Sequence, residues 1–178
     1  MPNIIYIATS IDGYIAREDG NMDWLMKLPN PEKSDYGFSI FLNRLDAMIM
    51  GRKTFETILG FSQWPYVRQI PLFVLTNSLD RLPLGLPVKA EIVNGALTGI
   101  LNSLNGRGLH SIYIDGGVTI QGFLKEDLID EMTITRIPVL LGTGIPLFDK
   151  NALELEFDHV ETKIFNNMLV RSKYLRKR

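Results

Sequence analysis

Met48-Ile49-Met50-Gly51-Arg52-Lys53-Thr54-Phe55-Glu56 reads as a buried strand that runs directly into a helix. Residues Ala47–Met50 are apolar without alternation, the pattern of a strand covered on both faces. Gly51 stops the run, and a helix is expected from about Arg52 to Leu59. The first N–H groups of a helix have no partner inside it, and the positive end of its dipole lies there. Phosphate settles at such an end. Arg52 and Lys53 would add full charges, and Thr54 a hydroxyl donor. The same residues also suit an ordinary helix start with two solvated cations.

The pattern recurs on either side. Leu72–Thr76 is an apolar strand closing in Leu75-Thr76-Asn77-Ser78, whose donors could hold a phosphate or a ribose, or simply form a turn. Ser111–Asp115 is a strand ended by Gly116-Gly117, with a helix from Thr119 to Leu124. Paired glycines let a backbone approach a pyrophosphate closely. The spacing in Ile114-Asp115-Gly116-Gly117-Val118-Thr119 is not that of the Rossmann fingerprint. All three junctions fall at the C-terminal ends of parallel strands, the rim where open α/β sheets bind ligands.

Further out, Ile4–Thr9 is a first buried strand, broken by Asp12-Gly13 and a polar loop through Gly20 and Asn21. Ser34 or Asp35 can cap a helix through about Leu45, with Phe38, Phe41, Leu42 and Leu45 on one face. Val88–Val93 is a strand, and Asn94-Gly95 turns into a helix over Ala96–Leu104. Residues 131–141 favour β-branched types and read as a strand. Leu153–Phe165 and Leu169–Leu175 form a closing hairpin around Asn166-Asn167. The expectation is one α/β domain over residues 1–178. Its central sheet is mixed and mostly parallel, of about eight strands, with helices on both faces and a C-terminal antiparallel hairpin.

Composition narrows the function. The 178 residues carry 19 basic and 20 acidic side chains, a net charge of −1, so no nucleic-acid partner is expected. The basic cluster Arg171, Lys173, Arg176, Lys177 and Arg178 reads as an edge strand followed by a solvated end, with a phosphate-contacting tail as the alternative. There is no cysteine, which fits a reducing compartment, and only two histidines, His110 and His159, so no metal site is expected. No signal peptide is expected at the N-terminus, and no apolar run is long enough to span a membrane. A cytoplasmic location follows as the expectation.

The sequence resembles the dihydrofolate reductase superfamily, especially its branch similar to the C-terminal reductase domain of bifunctional riboflavin-biosynthesis enzymes. The resemblance rests on Ile11-Asp12-Gly13-Tyr14-Ile15-Ala16 with Asp23-Trp24, and on Met48 to Glu56 as quoted above. It continues through Leu75–Ser78, Ile114–Gly117 and Pro138-Val139-Leu140-Leu141-Gly142-Thr143-Gly144-Ile145-Pro146-Leu147-Phe148. It implies an NADPH-dependent oxidoreductase. Ala8 and Ile15 would border the nicotinamide. Arg52 with Thr76, Asn77 and Ser78 would hold the 2′-phosphate. Lys53 and Thr54, next to Gly51, would meet the phosphate bridge, and Gly116, Gly117, Val118 and Thr119 would cradle the pyrophosphate. The loop from Asp12 to Trp24 resembles a mobile flap that excludes water. An acid should face the substrate: Asp35 by spacing, Glu32 as its rival, with Thr135 supporting it. Asp35 also reads as a helix N-cap, and Thr135 as an ordinary strand residue.

The implied reaction is hydride transfer to a C=N bond of a small heterocyclic substrate. By resemblance that substrate is the aminouracil phosphoribosyl intermediate of riboflavin synthesis, handled without a fused deaminase. Arg17, Lys33, Arg68 and Arg136 are the candidate cations for its phosphate. Dihydrofolate or pteridine reduction is the alternative. Against it stand Ile70 where folate enzymes carry a basic residue, Ile120 in place of an aromatic hydroxyl, and a longer Asn21–Asp35 segment. Rivals of other classes are a non-catalytic NADPH-binding protein and a structural dimer module. Apolar edge strands and the hairpin point to a homodimer.

Overall fold

The computed structural model describes residues 2–66, 70–150 and 153–178. Ten strands and five helices follow one another. The strands are β1 (Asn3–Thr9), β2 (Tyr14–Ala16), β3 (Ala47–Gly51), β4 (Leu72–Leu75), β5 (Ala90–Val93), β6 (Ile112–Asp115), β7 (Glu131–Arg136), β8 (Ile145–Pro146), β9 (Phe157–Phe165) and β10 (Leu169–Arg176). The helices are α1 (Asp23–Met26), α2 (Phe38–Leu42), α3 (Arg52–Leu59), α4 (Leu97–Gly106) and α5 (Gly117–Lys125).

The main sheet has eight strands in the order β5-β4-β3-β6-β1-β7-β10-β9. The first six are parallel, and β10 and β9 add an antiparallel margin. Strand residues alternate between two cores, as a pleat requires. Ile49, Phe73 and Ile114 meet Leu101, Leu104, Ile120 and Phe123 of α4 and α5 on one face. Met48, Met50 and Val74 meet Phe41, Leu42, Phe55 and Ile58 of α2 and α3 on the other. Strand registers such as Met50 with Asp115, Gly51 with Leu75 and Ala8 with Thr135 bring the C-terminal strand ends to one rim.

The structure departs from the sequence expectation at several points; the first closing strand, expected from Leu153, begins only at Phe157. The helix expected from Ser34 or Asp35 begins only at Phe38 and lasts five residues. Tyr36 and Gly37 both take positive φ, 50° and 85°, so the chain turns before it winds. The strand expected over 131–141 ends at Arg136. Pro138 has no N–H to donate, and the Val139 N–H turns back to the Ile137 carbonyl at 2.8 Å. Strand β10 is not an edge, because it lies between β7 and β9. The basic tail is ion-paired from Lys173 onward, although Lys177 and Arg178 at its end stay exposed as expected: Lys173 pairs with Glu131 at 3.0 Å, Arg176 with Asp127 at 2.7 Å, Lys177 with Glu156 at 3.4 Å, and Arg178 with Asp130.

Helix α1 and the small antiparallel ladder between β2 and β8 were not read from the sequence. Among the described residues, no helix is long and apolar enough to cross a membrane.

Candidate active site

Strands β3 and β6 are neighbours, so α3 and α5 begin side by side at the rim. A Cβ built on Gly51 would lie 2.8 Å from Thr119 Oγ1, and one on Gly116 would run into Thr54 Oγ1. Each helix start thus packs a threonine against the glycine of the other. Gly116 also takes φ 90°, a conformation that disfavours side chains. A Cβ on Gly117 would lie 2.6 Å from Ile15 Cδ1. Gly51, Thr54, Gly116, Gly117, Thr119 and Ile15 therefore form one group, although their segments are far apart in the chain. Val118 is 78% exposed, a large apolar residue left in solvent at the start of α5.

Beside this group, half-exposed Arg52 is steered along its own helix by Glu56, with Nη1 2.9 Å from Oε1. Lys53 is exposed. Thr76 is buried and its Oγ1 accepts the Ser78 N–H at 3.1 Å, while Asn77 and Ser78 stay exposed. Donors from the ends of β3 and β4 thus share the same stretch of rim.

A residue of the Ile114–Gly117 motif given no role at the sequence level proves structural to this cradle. Asp115 accepts the Gly116 N–H at 2.8 Å through Oδ1 and the Tyr66 hydroxyl at 2.8 Å through Oδ2. Burial pushes its carboxyl above the usual range, against the opposing pull of the Tyr66 hydroxyl. The only signal in the sequence was a charge closing an otherwise apolar strand.

A cavity of about 310 Å³ opens at the ends of β1 and β7, lined among others by Tyr6, Ala8, Leu25, Asp35, Tyr36 and Thr135. The Asp35 carboxylate accepts the N–H groups of Gly37 at 2.8 Å and Ser39 at 2.9 Å. Hydrogen bonds from the Ser39 hydroxyl, the Ser39 N–H and the Gly37 N–H hold it below the usual carboxylate range. Asp35 therefore does serve the start of α2, while also lining the cavity. Glu32 is exposed and lies outside the lining. The Thr135 hydroxyl has no hydrogen-bond partner among the described residues.

Arg171, read as part of the tail, instead braces the cavity wall. Its Nη1 donates to Tyr6 Oη at 2.9 Å and to the Tyr36 carbonyl, and its guanidinium lies 4.7 Å from the centre of the Phe165 ring. No local pattern marks that contact, because Tyr36 lies 135 residues away in the chain.

The flap expected from the sequence is anchored at its root. The Asp12 carboxylate accepts Ser10 Oγ at 2.6 Å and the N–H groups of Leu141 at 3.2 Å and Gly142 at 2.8 Å. A Cβ on Gly144 would run into the Ala16 carbonyl, which allows β2 and β8 to pair. Beyond the root, Asp23 joins Arg17 at 2.6 Å and Lys27 at 2.8 Å. Trp24 is 5% exposed, and its Nε1 finds no partner among the described residues.

Of the four candidate cations, Arg17, Lys33 and Arg136 are not among the residues lining the cavity. Arg17 is committed to Asp23, while Lys33 and Arg136 are exposed. Arg68 lies outside the described residues.

Sheet order, crossed helix starts and adjoining cavity together define a protein of the dihydrofolate reductase-like fold. Enterococcus faecalis dihydrofolate reductase, solved with NADP(H), superposes with a TM-score of 0.65 over 99% of this chain and 97% of its own, at 16% identity. More particularly, the chain belongs to the RibD C-terminal domain family, whose model matches residues 3–170. The uncharacterized protein YwjB of Bacillus subtilis strain 168 is 36% identical over 164 residues, 91% of each chain. A Shewanella sp. PV-4 crystal structure, whose name places it provisionally in riboflavin biosynthesis, is 47% identical with a TM-score of 0.94, covering all of both chains.

Proposed function

We propose that the protein is a cytoplasmic NADPH-dependent reductase acting on a C=N bond of a small heterocyclic substrate. The observation that carries this reading is the interlock of Gly51 with Thr119 and of Gly116 with Thr54, beside a cavity that holds a carboxylate. A cradle without room for a Cβ suits the close approach of a pyrophosphate, so the residues present fit the cofactor.

Gly116, Gly117, Val118 and Thr119 would hold the pyrophosphate with N–H groups at the start of α5. Lys53 and Thr54 would meet the phosphate bridge from α3. Arg52 and the Thr76-Asn77-Ser78 turn would face the 2′-phosphate and favour NADPH over NADH. Ala8 at the cavity and Ile15 against Gly117 would border the nicotinamide. When bound, NADPH supplies the hydride.

The protein's own part is to bind, orient and exclude water. Hydride goes to the carbon of the C=N bond and a proton to its nitrogen. Held below the usual range, Asp35 stays ionised at neutral pH, so it accepts a hydrogen bond from the substrate rather than donating the proton. The proton then comes from solvent, and Thr135, which lines the same cavity as Asp35, offers its hydroxyl. Glu32 takes no part in this reading. The aminouracil phosphoribosyl intermediate is the reference compound to assay, with dihydrofolate second.

Calorimetric titration with NADPH and NADH tests the reading. NADPH should bind much more tightly, and Arg52→Ala should weaken it about tenfold or more with little effect on NADH. Equal weakening of both would remove the 2′-phosphate assignment. Turnover then separates an enzyme from a non-catalytic NADPH-binding protein.

A further inference from the structure

Two Asn-Gly pairs occur in the sequence, Asn94-Gly95 and Asn105-Gly106, and they stand in opposite surroundings. Asn105 and Gly106 close α4, inside its hydrogen-bonded backbone. Asn94 and Gly95 lie in the exposed link between β5 and α4. Neither the Gly95 N–H nor the Asn94 side chain has a hydrogen-bond partner among the described residues. Gly95 holds φ at 101°, with nothing within 4 Å of where a Cβ would stand. Only glycine takes that φ without strain, so the turn requires the residue whose backbone nitrogen is least hindered. Asn77-Ser78, at the end of β4, differs: its Ser78 N–H is held by Thr76 Oγ1 at 3.1 Å.

We propose that Asn94 is a site of spontaneous deamidation, and that the carboxylate formed there weakens NADPH relative to NADH. The Gly95 nitrogen attacks Asn94 Cγ. The new N–Cγ bond closes a succinimide ring as the bond from Cγ to the side-chain nitrogen breaks. Ammonia leaves, carrying the amide proton of Gly95. Water then opens the ring to aspartate or isoaspartate, and both carry the new charge. No oxidant or reductant takes part.

Position decides what that charge does. Leu75 and Val93 are register partners at the ends of β4 and β5, and the Thr76 N–H donates to the Val93 carbonyl at 3.0 Å. Asn94 therefore stands beside the Thr76-Asn77-Ser78 turn. Neighbouring strands lie about 5 Å apart, so that turn is one spacing from Asn94 and the start of α3 is two. The start of α5, after β6, is three spacings away, roughly 15 Å. Screening at physiological salt acts over about 8 Å. A carboxylate at position 94 is thus felt by a 2′-phosphate and hardly by the pyrophosphate, which NADPH and NADH share. It also falls two residues before Ala96, the N-cap of α4, which makes no side-chain cap bond. The helix dipole favours a negative charge there, so the fold survives the change. The chemical step stands apart from the reductase reading, and its consequence for the cofactor rests on it.

The test ages the full chain in warm, mildly alkaline buffer, maps its peptides by mass, and titrates NADPH and NADH by calorimetry at low and high salt. Deamidation should appear at Asn94 well ahead of Asn105 and Asn77. NADPH should then bind about threefold or more weakly at low salt, with the loss shrinking at high salt and NADH unchanged. Asn94→Asp should reproduce that loss without ageing, and Asn94→Gln should prevent it. An Asn94 that stays intact, or reacts no faster than Asn105, would overturn the site. A deamidated chain, or Asn94→Asp, that binds both cofactors as the fresh chain does would overturn the consequence. A fresh chain that binds neither cofactor would refute the reductase reading and take the consequence with it, while the mass map still decides the site.

Discussion

Gly116 and Gly122 stand at the start and in the body of α5, and a methyl group would do opposite things at the two positions. At Gly116 it would run into Thr54 Oγ1 on a backbone held at φ 90°. Gly116→Ala should cost at least about 1 kcal/mol and cut NADPH affinity sharply, because relief of the clash opens the cradle. At Gly122 the nearest atom would be Leu97 Cδ1 at 3.8 Å, an ordinary contact. Gly122→Ala should stabilise the fold by about 0.5–1 kcal/mol through helix propensity and leave NADPH affinity unchanged. Thermal melts with cofactor titration check both, and equal effects from the two variants would contradict the cradle geometry. The paired glycines were legible from the sequence because strand, glycine and helix follow one another directly. The Asp115–Tyr66 bond and the Arg171 brace were not, because such contacts join distant segments.

Among the elements, those set by local pattern were read correctly, and those set by tertiary contact were not. Helix α3 fell where an apolar run met Gly51. Helix α2 was overextended because Asp35 has the chemistry of a cap, and only the left-handed turn at Tyr36-Gly37 shows that the helix starts later. The ladder of β2 and β8 depends on segments brought together by the Asp12 anchor, so neither strand announces itself. Strand β10, taken for an edge, is instead locked in place by charge. Glu131, with a 6% exposed side chain, accepts Arg44 in a bidentate pair at 2.9 and 3.0 Å and also meets Lys173 at 3.0 Å. Burial alone would raise this carboxyl, but the Arg44 and Lys173 hydrogen bonds outweigh it and the net shift is downward. The folded pKa thus lies below the unfolded one. The triad's contribution is complete above an unfolded glutamate pKa of about 4.3 and is lost as pH falls through the lower folded value. Stability should therefore hold from neutral pH down to about pH 5 and then decline. Glu131→Gln should cost about 3 kcal/mol at pH 7, the low end for a broken buried pair because Arg44 is half exposed. The same variant should flatten the acid limb. Urea melts across that pH range read both effects, and an unchanged acid limb would remove Glu131 from the account.

At the scale of the whole molecule, the antiparallel margin leaves apolar surface that the two cores do not cover. Ile164 and Val170 are cross-strand partners in β9 and β10, 65% and 38% exposed, and Val160 on β9 is 49% exposed. Strand β9 is also the outer edge of the sheet, with one row of backbone groups left unpaired by the ladder. The bulge between Lys173 and Tyr174 twists this edge, which disfavours open-ended stacking of further strands. A surface that is both apolar and limited in extent suits closed two-fold pairing, in which the same patch meets itself. We propose that a second copy of this chain covers it. The active-site rim lies at the strand ends, so pairing along the hairpin leaves cofactor entry open. Sedimentation equilibrium should show a dimer. Ile164→Lys, which places a charge in the centre of the patch without touching either core, should shift it to monomer while leaving NADPH binding intact. A wild-type protein that sediments as a monomer at every concentration would refute the pairing. A dimer indifferent to Ile164→Lys would move the interface to another face.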